Sequence, residues 1–296
     1  MGNAAGVLGG QQQHTSAAAA AIERAILQTI HETRVRPQAC LLRLQTKIVH
    51  YKGKDFVDPV SKTPVVTKEG RIPVQEMIEI MKRAVSSGEP PQIEAPVSSS
   101  GTGIVYPPFC PDPKKSLSLC AEDHAVDMAA TGIVQHTGSN GSSPADRMSY
   151  YGVWYHCCGE CIWYGSIEIE TPPMAVAQRI VDALLVDDGV PDRGHRKCLL
   201  DARMVCGGVG CAPHPIFGFS VVIDVAGEVT EGLPADLEAA EAPAAALSAE
   251  AETAQRERQE QAVERHKRMM RRMVDGPPQP SQETIDRLRG SATTHW

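Results

Sequence analysis

No uninterrupted apolar run in this chain approaches the roughly 20 residues that a membrane-spanning helix needs, so no transmembrane span is expected. Positive charge is also in short supply. With 29 Lys and Arg against 36 Asp and Glu, the formal net charge is -7, which argues against a surface built as a whole to hold nucleic acid. The opening stretch MGNAAGVLGGQQQHTSAAAAA lacks a basic n-region and carries only a weak alanine run, so it does not read as a secretory signal. A reducing, cytoplasmic setting is the default that follows. Gly2 invites N-myristoylation, but Gly6 stands where Ser or Thr is wanted, and a disordered Gly/Gln/Ala tail over 1–19 is the alternative. There is no GxSxG elbow and no clean pair of CxxC knuckles, which weakens the serine-hydrolase and structural-zinc readings.

What the chain does have begins with nine cysteines, an odd number, so at least one is free or pairs with another chain. Ile22, Ile26, Leu27 and Ile30 share one face of a helix expected over Ser16–Val35 and ending near Pro37. A second helix is expected at 71–85, with Pro73 in its first turn and Val74, Met77, Ile78 and Met81 on one side. Residues 86–115 are rich in Pro, Gly and Ser and read as an irregular insertion. SLCAEDHAVDMAATG is helical, with Leu119, Asp123 or His124, Val126 and Met128 close together before Gly132 stops it. CIWYGSIEIE reads as a strand, PPMAVAQRIVDALLVDDG as a helix opened by Thr171 and Pro172, and ARMVCGGVGCAP and GFSVVIDVAG as two more strands. Helices before and after short strands point to a mixed fold with a covered central sheet over 20–227. From Glu228 the composition turns acidic and, from Arg256, basic, so 228–296 reads as a charged, helical or disordered tail. The basic run suits a partner protein or an acidic membrane face; its apolar residues keep no a/d heptad, so a coiled coil is weak.

Four polar segments carry candidate chemistry. His136 precedes the turn-rich TGSNGSSP, Glu160 lies between CCG and CIWYG, His195 follows the VPDRG turn, and His214 sits in CAPHPIFG. Two imidazoles and a carboxylate could hold Zn²⁺ with a position left for water, or position a small ligand by hydrogen bonds alone. A hydrolase would need Ser139, Ser142 or Ser143, or a metal-bound water, beside one of these bases. Cys158–Gly159–Glu160–Cys161 has redox spacing without a βαβ lead-in, and its cysteines could instead join Cys206 and Cys211 around a metal.

Taken together, ILQTIHETRVRP, CAEDHAVDMAATGIVQHTGSNGSSPADRMSYYG, GECIWYG, DDGVPDRGHRKCLLDARMVCGGVGCAPHPIFG and VVIDVAG resemble, in this order, the CAP superfamily, the SCP-like domain of cysteine-rich secretory, antigen 5 and plant pathogenesis-related proteins. The resemblance implies an α+β fold: a three-layer α-β-α sandwich with a central mixed or antiparallel sheet and a groove faced by two histidines and two acidic residues. His136 and His195 match the histidines and Glu160 the first acid, while Cys161 stands where an asparagine is usual. The second acid belongs on the helix before His195, where Asp182 is the nearest candidate. The resemblance implies metal, lipid or sterol binding, with Zn²⁺ on His136 and His195, or a protein partner. It implies no family-wide catalysis. Most of the family is secreted, which contrasts with the missing signal. A scaffold acting through the tail is the remaining alternative.

Overall fold

The computed structural model describes residues 5–57, 59, 62, 64–93, 106–167 and 171–232. The charged tail beyond 232, and with it the interaction-helix reading, lies outside the described residues, as do residues 94–105 of the insertion. Among the described residues the elements run α1 (Ala5–Val35), α2 (Pro37–Ile48), β1 (Tyr51–Lys52), β2 (Asp55–Val57), β3 (Pro64–Val66), α3 (Ile72–Ser87), α4 (Lys115–Thr131), α5 (Pro144–Tyr151), β4 (Gly152–Gly165), α6 (Pro173–Val186), α7 (Gly194–Leu200), β5 (Cys206–His214) and β6 (Gly218–Glu231). Helix is already established at Ala5, inside the stretch expected to be disordered, where Ala and Gln favour it. Ile22, Ile26, Leu27 and Ile30 are buried as their spacing predicts, each worth roughly 1.5–3 kcal/mol of burial.

The main sheet has the order β4-β6-β5 and is antiparallel throughout. Because side chains alternate along a strand, each strand feeds two cores. Cys161, Trp163, Val209, Val221, Ile223 and Val225 pack under α1, α2, α3 and α6, while Ile162, Val222 and Ala212 pack under α4. The result is the α-β-α layering that the resemblance implies.

α4 lies unusually close to its strand. A Cβ at Gly208 would come within 2.2 Å of Ser118 N, and one at Gly210 within 2.2 Å of Glu122 N. Glycine in a strand interior here marks a direct approach of helix backbone to sheet backbone. The same closeness sets the inner face of α4, which is built from Leu117, Cys120, Ala121, His124, Ala125 and Met128 rather than from Leu119 and Val126. β6 runs past residue 228 to Glu231, whose Oε1 and Oε2 accept from Lys115 N and Ser116 N at 2.8 Å each, closing the first turn of α4.

Three features depart from the sequence expectation. The polar connection after α2 contains a small antiparallel sheet, β1-β2-β3. β4 begins at Gly152, nine residues ahead of CIWYG, because a bulge between Tyr155 and Cys158, with His156 at φ 69, hides its alternation. The turn-rich segment after His136 passes into helix α5, opened by a reciprocal Ser143–Asp146 capping box with Pro144 in the first turn.

Candidate functional site

The site straddles the rim of the sheet at β4, which among the described residues pairs only with β6. His136 reaches it from one face. Gly132 at φ 71 ends α4, and buried His124 bonds the Gln135 carbonyl through Nε2 at 2.8 Å, fixing the residue before His136. Burial lowers the His124 pKa below the ordinary imidazole value, so this ring is a neutral anchor. The following loop folds back on itself: Gly138 N donates to Ser142 O and Gly141 N to Gly138 O, with Gly141 at φ 83. His136 then donates from Nδ1 to Glu160 Oε1 at 2.8 Å. The other oxygen of Glu160 receives Arg147 Nη2 from α5 at 2.5 Å, and both of these partners are almost wholly buried. Arg147 therefore compensates the buried carboxylate that His136 leans on.

His195 reaches the rim from the opposite face. Asp187 ends α6 in a left-handed conformation, φ 59, and its side chain turns onto the start of α7. Its Oδ2 accepts from the backbone of His195 at 2.9 Å and of Arg196 at 3.2 Å, while Oδ1 meets His195 Nδ1 at 2.7 Å. α7 is pinned from behind. Arg196 is buried against the carbonyls of Pro73, Leu185 and Val186 and the carboxylate of Glu76, and Arg193 bridges Glu69 and Glu76. Hydrogen bonds from Arg193 hold the Glu69 pKa down at about 2.

The two rings lie 6.4 Å apart, centroid to centroid, tilted by 36°. Each spends Nδ1 on a carboxylate, which leaves both Nε2 atoms for a ligand. Between them opens a hollow of about 160 Å³, lined by His136, Trp163, Leu184, Asp187 and His195 among others. His136 is about half exposed and His195 about a quarter, so both can be reached from solvent.

The structure thus brings His136, Glu160 and His195 together and leaves other candidates elsewhere. Asp182 is not the second acid. It faces α2, where Arg43 Nε and Nη2 donate to its two oxygens at 2.8 Å each; the acid beside His195 is Asp187. Helical geometry separates the two, since position 182 sits in the body of α6 and position 187 at its end. Asp182→Asn is expected to lower unfolding stability by about 1–2 kcal/mol in denaturant titration while leaving ligand uptake at the histidine pair unchanged. His214 closes the β5–β6 hairpin, bonding the Ile216 and Phe217 amides at Nδ1, and burial lowers its pKa to about 4. The three loop serines are engaged with Asp127, Asn140 and Asp146, not with an imidazole. All nine cysteines are free thiols, and Cys158 and Cys161 serve opposite faces of β4, so neither the redox pair nor a zinc cluster with Cys206 and Cys211 forms. Among the described residues, no group of three or more His, Cys, Asp or Glu is arranged to hold a metal ion.

One further buried acid was hidden in the apolar run of β6. Asp224 is the cross-strand partner of Glu160, is fully buried, and has no nitrogen or oxygen partner. Burial, reinforced by the charge of Glu160, raises its pKa well above the usual carboxylate range. Its protonated form is therefore favoured, with the Cys120 thiol beside it.

Residues 113–223, from the approach to α4 into β6, match the family model of the CAP domain, the cysteine-rich secretory protein family. That interval contains His136, Glu160, Asp187 and His195. This CAP-family match spans residues 113–223 of the 296. The match starts at the end of the insertion, so α1–α3, which complete one of the two cores on the main sheet, lie outside it. No curated protein matched the chain, and no solved structure did. Among the described residues no helix is long and apolar enough to cross a membrane.

Proposed function

We propose that this CAP domain binds a small ligand or a divalent cation of the zinc class between His136 and His195. The observation that carries the reading is the pair of carboxylate-backed imidazoles, Glu160 behind one ring and Asp187 behind the other. An acceptor on Nδ1 fixes the tautomer that leaves Nε2 as a lone-pair donor. The donor set fits zinc as two nitrogen ligands, with water or the ligand itself completing the shell. Bound there, the ion would supply a positive anchor for an anionic or carbonyl-bearing ligand. The volume favours the small end of the range. About 160 Å³ lies below the roughly 300–1,000 Å³ typical of drug-sized ligand sites, which argues against a sterol or lipid at this position.

His136→Ala combined with His195→Ala tests the reading. After zinc loading and dialysis, wild type is expected to retain about one zinc per chain and the double variant almost none, with unchanged circular dichroism. Equal zinc in the two proteins would remove the metal version. Retention is also expected to fall on acidification, because protons compete with the metal for the imidazole nitrogens.

A further inference from the structure

We propose that Cys161 and Cys198 are an oxidisable thiol pair whose disulfide ties α7 to β4 behind the histidine site. The spacing of the sequence suggests Cys158 with Cys161, but three steps along a strand place those two on opposite faces. Cys161 instead shares its face with Cys198 of α7. Gly159 makes the room: a Cβ there would come within 2.6 Å of Cys198 Sγ, so the thiol rests directly on the strand backbone. Cys198 Sγ thus sits over the strand two residues before Cys161 on the same face, and each thiol is the foremost influence on the other's ionisation. Cys161 is fully buried and Cys198 partly open, so an oxidant meets Cys198 first. The neighbouring Cys161 thiol, helped by the Arg34 guanidinium, draws Cys198 below the ordinary thiol range, in keeping with its role as the attacking sulfur.

A small disulfide such as oxidised glutathione supplies the oxidising power. The Cys198 thiolate attacks one of its sulfurs, forming a mixed disulfide and expelling one glutathione thiolate. Cys161 gives up its proton and attacks the Cys198 sulfur, forming the internal bond and expelling the second glutathione. The protein loses two electrons and two protons, and the oxidant becomes two thiols. His195 begins the turn that Cys198 ends, and its carbonyl lies 3.9 Å from Cys161 Sγ. The crosslink therefore fixes the segment carrying one ring to the strand that carries Glu160. Its formation is independent of whether the groove holds zinc.

The test oxidises the full chain under native conditions with excess oxidised glutathione, blocks remaining thiols, and maps the peptides without reduction. Cleavage after Glu160, Glu168, Lys197 and Arg203 isolates peptides 161–168 and 198–203, each with a single cysteine. The expected result is a covalent 161–168/198–203 pair lighter by two hydrogens than its parts, with a Tm rise of about 5 °C that dithiothreitol reverses. Cys198→Ser is expected to abolish both. Linkage of Cys198 to Cys157 or Cys158, or Cys198 left alkylatable in the folded, oxidant-treated wild type, would overturn the proposal whether or not the variant folds.

Discussion

Gly210→Ala is expected to destabilise the domain by about 3 kcal/mol, a Tm loss of roughly 6–12 °C for a domain of this size. The added methyl would need to occupy space 2.2 Å from Glu122 N and 2.4 Å from Ala121 C. Those are backbone atoms of α4, which no rotamer change can move aside. The helix must lift, and with it the inner face that meets Val222 and Ile162 and the His124 anchor of the His136 loop. Gly194→Ala is the matched control: its Cβ would sit 3.5 Å from Asp192 Oδ2, an ordinary contact, so a change within about 0.5 kcal/mol is expected. Differential scanning calorimetry of both variants decides. A Gly210→Ala protein melting within about 2 °C of wild type would mean that the approach of α4 to β5 is far looser than described.

The opposite sign is expected at Asp224. Asp224→Asn should raise stability at pH 7, by at most about 4 kcal/mol, and by little at pH 4. The reason is a linkage argument. An unfolded aspartate titrates near 3.8, while the folded one, buried and facing Glu160, keeps its proton well above that. Stability from this group is fully present below the unfolded value. It is lost as pH rises, at about 1.4 kcal/mol per unit, until the folded group ionises too. Three units to neutrality set a ceiling of about 4 kcal/mol, and asparagine, with no proton to lose, escapes the loss. Glu23, raised by burial to about 7, slopes the same way in both proteins and cancels in the difference. Chemical denaturation of wild type and variant from pH 4 to 8 measures it. A stability difference that stays flat across that range would show that Asp224 ionises normally in the fold.

The sequence was most informative where chemistry is carried by residue type. His136, Glu160 and His195 stand out as polar groups in marked surroundings, and all three meet. It was least informative where the decisive variable is a backbone angle or a face. Asp187 works because it sits in a left-handed conformation at the end of α6, and the DDG signal for such a turn was present but was outweighed by the expectation of an acid within the helix. Arg147 carries no mark of its role in the sequence, although Ser143 and Asp146 have the spacing of a capping box. Asp224 disappeared into VVIDVAG because one acid among apolar neighbours does not disturb the strand pattern; only the cross-strand register reveals what it faces. The small faces of α4 look unremarkable until Gly208 and Gly210 explain them.

Glu231 sets where the chain can be divided. Its carboxylate is the stopper on the amino end of α4, supplied from more than a hundred residues downstream. A shortened protein cut at 228, where the composition shifts, would uncork that helix and confound loss of the tail with damage to the histidine loop it leads into. Cutting after 231 separates the two, so any partner lost by that shorter chain would belong to the acidic and basic extension itself.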